Sequence, residues 1–137
     1  MKYGFIKVAA GTPNIRVADC DYNAQSIIGV MREANARGVK LLVLPELCIT
    51  GYTCGDLFLH KPLLRGALTA LDALLRESAS SDMITIAGLP IALEGKLFNC
   101  AALLQRGKLL GLAVKTSLPN YGEFYEKRHF TPAPAET

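Results

Sequence analysis

No apolar run in the 137 residues approaches the roughly 20 that a membrane-spanning helix needs, so no membrane partner is expected. Charge of one sign is equally scarce. Fifteen Lys and Arg stand against twelve Asp and Glu, and a net charge of +3 is too small to argue for nucleic acid. The basic residues are scattered, with Lys127, Arg128 and His129 the only local cluster. The opening Met1–Lys7 lacks the long apolar stretch and small-residue cleavage site of a secretory signal; it reads as a strand, and the expected location is the cytoplasm. Cys20, Cys48, Cys54 and Cys100 fit no zinc spacing, and both histidines are remote from them, so no metal site is expected. Free thiols in a reducing compartment are the better reading. There is no internal repeat and no low-complexity tract.

What is present is half hydrophobic and one-fifth charged, enough for one domain with a substantial core. Tyr3 to Ala10 reads as a short strand ending at the turn signal Gly11-Thr12-Pro13-Asn14. Asp21 to Arg37 carries Ile27, Ile28, Met31 and Ala34 at helical spacing, and Gly38 stops it. Val39 to Leu44 is a continuous aliphatic strand closed by Pro45, which completes a strand–helix–strand unit. Glu46 to His60 is aperiodic and reads as a loop with a short helical turn. Pro62 opens a second helix to about Arg76, with Leu64, Leu68, Leu71, Leu74 and Leu75 as its apolar stripe. Met83 to Gly88 is a buried strand expected to stop at Pro90. The turns Glu94-Gly95-Lys96 and Arg106-Gly107-Lys108 imply a β-meander that ends in a strand over Leu109–Val114. Lys115 onward is a long loop. The fold class is α/β, and two helices are too few to cover five apolar strands, so the domain is expected to be incomplete.

Two segments depart from this plain pattern. Glu46 follows a buried aliphatic strand at its carboxyl end, where α/β proteins build sites. Apolar neighbours would raise its pKa by desolvation and suit it to general-base work, although a carboxylate there more often caps the next turn. Lys115 closes another aliphatic strand, where a lysine more often only reaches for solvent. Together the two charges can meet at one rim of the sheet, the carboxylate to take a proton and the ammonium to stabilise an oxyanion. The aromatic and charged stretch Asn120–Phe130 can wall a pocket and supply a second carboxylate. His60 and His129 are weak candidates. Cys48 is rejected as a nucleophile, because the chain there should still be nearly extended and lacks the strand-to-helix elbow that exposes one. Cys54 reads as a small loop residue, and Cys20 and Cys100 as inert buried thiols.

Leu44-Pro45-Glu46, Gly51-Tyr52 and the strand-closing Lys115 resemble the carbon–nitrogen hydrolase (nitrilase) superfamily. Thr53-Cys54-Gly55-Asp56-Leu57-Phe58 and Leu118–Arg128 look like one branch of it, the glutamine amidotransferase domains of glutamine-dependent NAD(+) synthetases. The opening Phe5–Ala10 and Asp21-Tyr22-Asn23 also fit, and the likeness covers essentially the whole chain. It implies a four-layer α-β-β-α sandwich, of which residues 1–137 would be the amino-terminal part. It also implies Glu46 as general base, Lys115 as oxyanion stabiliser and Glu126 as second carboxylate, with Glu123 as the fallback. Tyr121 and Tyr52 would line a glutamine pocket.

In this family a thiolate attacks the glutamine side-chain amide. The released ammonia goes to a synthetase domain that uses ATP and Mg to amidate deamido-NAD(+). The family's nucleophile lies well downstream of the lysine, yet no cysteine follows Cys100 here. The expectation is therefore an inactive part of a glutaminase, with no cofactor of its own and the synthetase domain as partner. Uncovered sheet would favour homo-oligomers. Two alternatives stand beside it: a non-catalytic nitrilase-like scaffold, and a free-standing amidase of the same superfamily, which the Thr53–Phe58 motif disfavours.

Overall fold

A computed structural model describes residues 4–118 and 129–133. Its elements follow the chain in the order strand β1 (Val8–Ala10), helix α1 (Cys20–Ala36), strand β2 (Leu41–Val43), helix α2 (Lys61–Glu77), and strands β3 (Ile84–Leu93), β4 (Lys96–Gln105) and β5 (Lys108–Val114). The five strands form one sheet in the order β1-β2-β3-β4-β5, with β1, β2 and β3 parallel and β3, β4 and β5 antiparallel. Each parallel step needs a crossover, and α1 and α2 provide them.

Local chemistry explains the helix ends. The Asp19 side chain accepts a hydrogen bond from the Tyr22 amide at the start of α1, and Gly38 takes the positive φ that ends it. Pro62 sits in the first turn of α2, where its missing N–H costs nothing. The hairpin turns Glu94-Gly95 and Arg106-Gly107 each place two residues at positive φ, the twist that two-residue β-hairpins require.

Both helices bury one face of the sheet. Ile27, Met31, Leu71 and Leu74 meet Leu42, Ala87, Leu89, Ala102 and Leu104 in one core. The opposite face carries Val8, Val43, Ile84, Ile86 and Leu103, half-buried or exposed, with no described element over it.

Four readings need correction. The first strand is only Val8–Ala10, and Phe5 and Ile6 are exposed ahead of it. Strand β3 does not stop at Pro90 but runs through it to Leu93. The Ile86 and Gly88 carbonyls accept from Leu44 and Ile49 on the β2 side, so Pro90, two residues on, turns its missing N–H to that same side beyond the end of β2. The apolar stripe of α2 is Leu63, Ala67, Ala70, Leu71 and Leu74, while Leu68 is 52% exposed. The side of α2 that carries Leu63, Ala67, Ala70, Leu71 and Leu74 is the buried one, and Gly66 lies beside Cys20 of α1. Finally, residues 47–50 form a turn rather than a nearly extended chain, with Leu47 at positive φ.

Candidate functional site

The site grows from the carboxyl ends of β2 and β5 and from residues inside β3 and β4. Beyond β2 the chain continues through Pro45 and Glu46 and turns back over β3. That crossing is close: a Cβ on Gly88 would lie 2.3 Å from the Leu47 nitrogen and 3.0 Å from the Glu46 carbonyl carbon. Only glycine admits the Pro45–Leu47 backbone there.

The turn is fixed on both sides. The Ile49 amide donates to the Gly88 carbonyl at 3.1 Å and the Gly51 amide to the Leu47 carbonyl at 2.7 Å. From α1, the buried Asn23 amide nitrogen donates to the Ile49 carbonyl at 2.9 Å and to the Arg16 carbonyl at 2.8 Å. The Asn23 side-chain oxygen accepts from the Arg16 amide at 2.7 Å. A buried amide that uses both its donor and acceptor groups in this way rigidifies the segments it joins.

Lys115 reaches the same place from the end of β5. Its backbone amide donates to the Asn99 carbonyl at 2.9 Å, continuing the β4–β5 ladder one residue past Val114. Its Nζ donates to Glu46 Oε1 at 2.5 Å, and Asn99 Nδ2 donates to the same oxygen at 3.1 Å. The carboxylate is thus not enclosed by apolar groups, as the sequence suggested. The Glu46 side chain is 38% accessible and the Lys115 side chain 27%, and the neighbours at hydrogen-bond distance are an ammonium and an amide. Asn99, at 3% exposure, is the buried member. The three line a groove on the sheet face away from the helices, floored by Val43, Ile86, Gly88, Ala101 and Ala113.

Glu46 and Lys115 therefore come together. Tyr52 is half-buried against the core and does not line this groove. Glu123, Glu126 and Tyr121 lie outside the described residues. The flanks of that stretch return to the body of the fold: Phe130 packs edge-on against Phe58 at 5.0 Å, and the Thr131 amide donates to the Leu97 carbonyl at 2.7 Å. His129 Nε2 sits 3.0 Å from Asp56 Oδ1, away from Glu46.

All four cysteines are buried and free. Burial pushes the thiols of Cys20, Cys48 and Cys100 up to about 11, and that of Cys54 up as well. The Cys48 sulfur approaches the Gly88 carbonyl at 3.9 Å and has only 2% exposure. None of these protonated thiols resembles an activated nucleophile. Among the described residues no group of three or more His, Cys, Asp and Glu is placed to hold a metal ion, and an ammonium inside the Glu46 cluster does not suit a cation. No helix among them is long and apolar enough to cross a membrane.

Asn99 and Gly88 are the residues that sequence reading missed. Asn99 stands as a lone uncharged polar side chain within the apolar strand Leu97–Leu104, and that misfit was the available signal.

Residues 7–137 match the carbon–nitrogen hydrolase family. The glutamine-dependent NAD(+) synthetase of Mycobacterium tuberculosis is 36% identical over 135 residues, which are 98% of this chain and 20% of that protein. The crystal structure of a glutamine-dependent NAD(+) synthetase from Cytophaga hutchinsonii superposes with a TM-score of 0.86 at 35% identity, covering 96% of this chain and 22% of that one. An amidase from Nesterenkonia sp. shares the fold with a TM-score of 0.75 at 24% identity, over 94% of this chain and 48% of the amidase. The chain spans about one-fifth of the length of the curated synthetases it matches.

Proposed function

The chain belongs to the carbon–nitrogen hydrolase family, and from that we propose that it supplies the Glu–Lys part of a glutaminase site in a glutamine-dependent NAD(+) synthetase. Residues 1–137 are then the amino-terminal part of its nitrilase-like domain. The observation that carries this reading is the Glu46–Lys115 pair, joined at the carboxyl end of a parallel strand.

Each member has a chemical task. Glu46 removes the proton from the attacking thiol. As the sulfur–carbon bond forms, the amide carbonyl becomes an oxyanion, which the Lys115 ammonium stabilises. Glu46 then hands the proton to the departing nitrogen, and ammonia leaves. A water deprotonated by Glu46 attacks the thioester, and collapse of the second oxyanion releases glutamate and the thiol. Glu126, or Glu123 in its place, is the second carboxylate, and Tyr121 walls the glutamine pocket, whereas Tyr52 lies outside the groove around Glu46 and takes no part in it.

The thiol itself is not one of the four cysteines here, whose burial keeps them protonated. The attacking cysteine comes instead from outside these 137 residues, which hydrolyse no glutamine by themselves. ATP and Mg act in a separate synthetase domain that consumes the ammonia.

The test is a comparison of nitrogen donors in the full-length protein. Glu46→Gln should abolish glutamine-dependent NAD(+) synthesis while ammonia-dependent synthesis continues. Equal loss with both donors, or no glutamine hydrolysis by the unaltered protein, would overturn the reading.

A further inference from the structure

Asn99 is buried to 3% exposure in a strand whose neighbouring positions are mostly apolar. An amide in such a place is costly unless its hydrogen-bonding groups are satisfied. It touches both members of the charged pair by different routes. Its side chain donates to Glu46 Oε1 at 3.1 Å, and its main-chain carbonyl accepts from the Lys115 amide at 2.9 Å. Facing a carboxylate, only the NH2 end of the amide can make this contact, so chemistry fixes the orientation of the group.

The donors also converge unevenly. Lys115 Nζ and Asn99 Nδ2 both reach Oε1, and among the described residues nothing donates to Oε2. Two donors on one oxygen hold the carboxylate plane and leave its second oxygen to exchange a proton. We infer that Asn99 is a positioning residue: with Lys115 it commits Glu46 Oε1 to structural hydrogen bonds and assigns the proton transfers to Oε2. This rests on the glutaminase reading for its catalytic meaning, but the positioning is a property of the side chains themselves.

The experiment uses the full-length protein with three side chains at position 99. Asn99→Ala should lower kcat for glutamine hydrolysis about 10- to 100-fold, the scale of losing one hydrogen bond to a charged group, with little change in KM. Asn99→Asp conserves the shape but puts an acceptor where a donor stood, so it should be at least as impaired as the alanine variant. A role in filling space predicts the reverse order, with Asp near the unaltered protein. A crystal structure of the alanine variant should find the Glu46 carboxylate rotated from its present position.

Unchanged kcat in Asn99→Ala, near-normal turnover in Asn99→Asp, or an unmoved Glu46 carboxylate would each overturn the inference. Should the unaltered protein release no ammonia from glutamine, the glutaminase reading fails, and the crystal comparison still decides whether Asn99 positions Glu46.

Discussion

Glu46 and Lys115 stand 69 positions apart in sequence and share a 2.5 Å hydrogen bond at the end of the sheet. With side chains 38% and 27% accessible, the pair is screened by solvent and contributes about 1 kcal/mol or less to folding. Lys115→Ala should therefore leave the thermal midpoint nearly unchanged while removing glutaminase activity. A collapse of the midpoint would mark the lysine as structural. The cysteines behave oppositely. In the unfolded chain their thiols titrate near 9.0, whereas burial holds Cys20, Cys48 and Cys100 at about 11. Between those values the unfolded chain has released protons that the folded chain still binds. Their contribution is complete below about pH 9 and falls as pH rises toward 11. Denaturant midpoints should be lower at about pH 10.5 than at about pH 8, and equal midpoints would contradict the burial of these thiols. Both charged residues were legible in sequence because each ends an aliphatic run. Asn99 was not, since its role depends on a partner 53 positions away.

Gly88 governs an element rather than a bond. It sits where the Pro45–Leu47 backbone crosses β3, and the atoms that would meet a Cβ are main-chain atoms that cannot swing aside. Gly88→Ala should destabilise by about 2–3 kcal/mol and displace Glu46, lowering both the thermal midpoint and glutaminase activity. Gly29 is the control: it lies inside α1 with nothing within 4 Å of an added Cβ, so Gly29→Ala should stabilise by about 0.5–1 kcal/mol. Similar effects from the two substitutions would contradict the close crossing. Elements set by local chemistry were readable: the Asp19 cap, Gly38, and the Glu94-Gly95 and Arg106-Gly107 turns. Those set by neighbours were not. Pro90 looked like a strand stop because β2 ends before its missing N–H matters, and Leu68 looked buried because a count of leucines does not show that Ala67 and Ala70 lie on the buried side of α2.

At the scale of the whole molecule, the sheet is covered by helices on one side and bears Val8, Val43, Ile86 and Leu103 on the other. In the proposed sandwich a second sheet lies over this face and closes the groove around Glu46 and Lys115. The 137 residues expressed alone should self-associate in sedimentation experiments as concentration rises, because exposed apolar side chains gathered on one sheet face favour association. A monomer at all concentrations would argue that these side chains need no cover. The α/β class and the family were legible from strand order and from two local motifs. Two helices counted against five strands matched a sheet with helices on one face, and among the described residues nothing lies over the other.

Glu46 and Lys115 act as one unit, and a double-mutant cycle on glutamine hydrolysis by the full-length protein measures that directly. Glu46→Gln and Lys115→Met should each lower kcat by about 10²–10⁴-fold. The double variant should be little worse than either single one, because the first substitution already disables the unit. Losses that multiply in the double variant would show two independent residues and contradict the account.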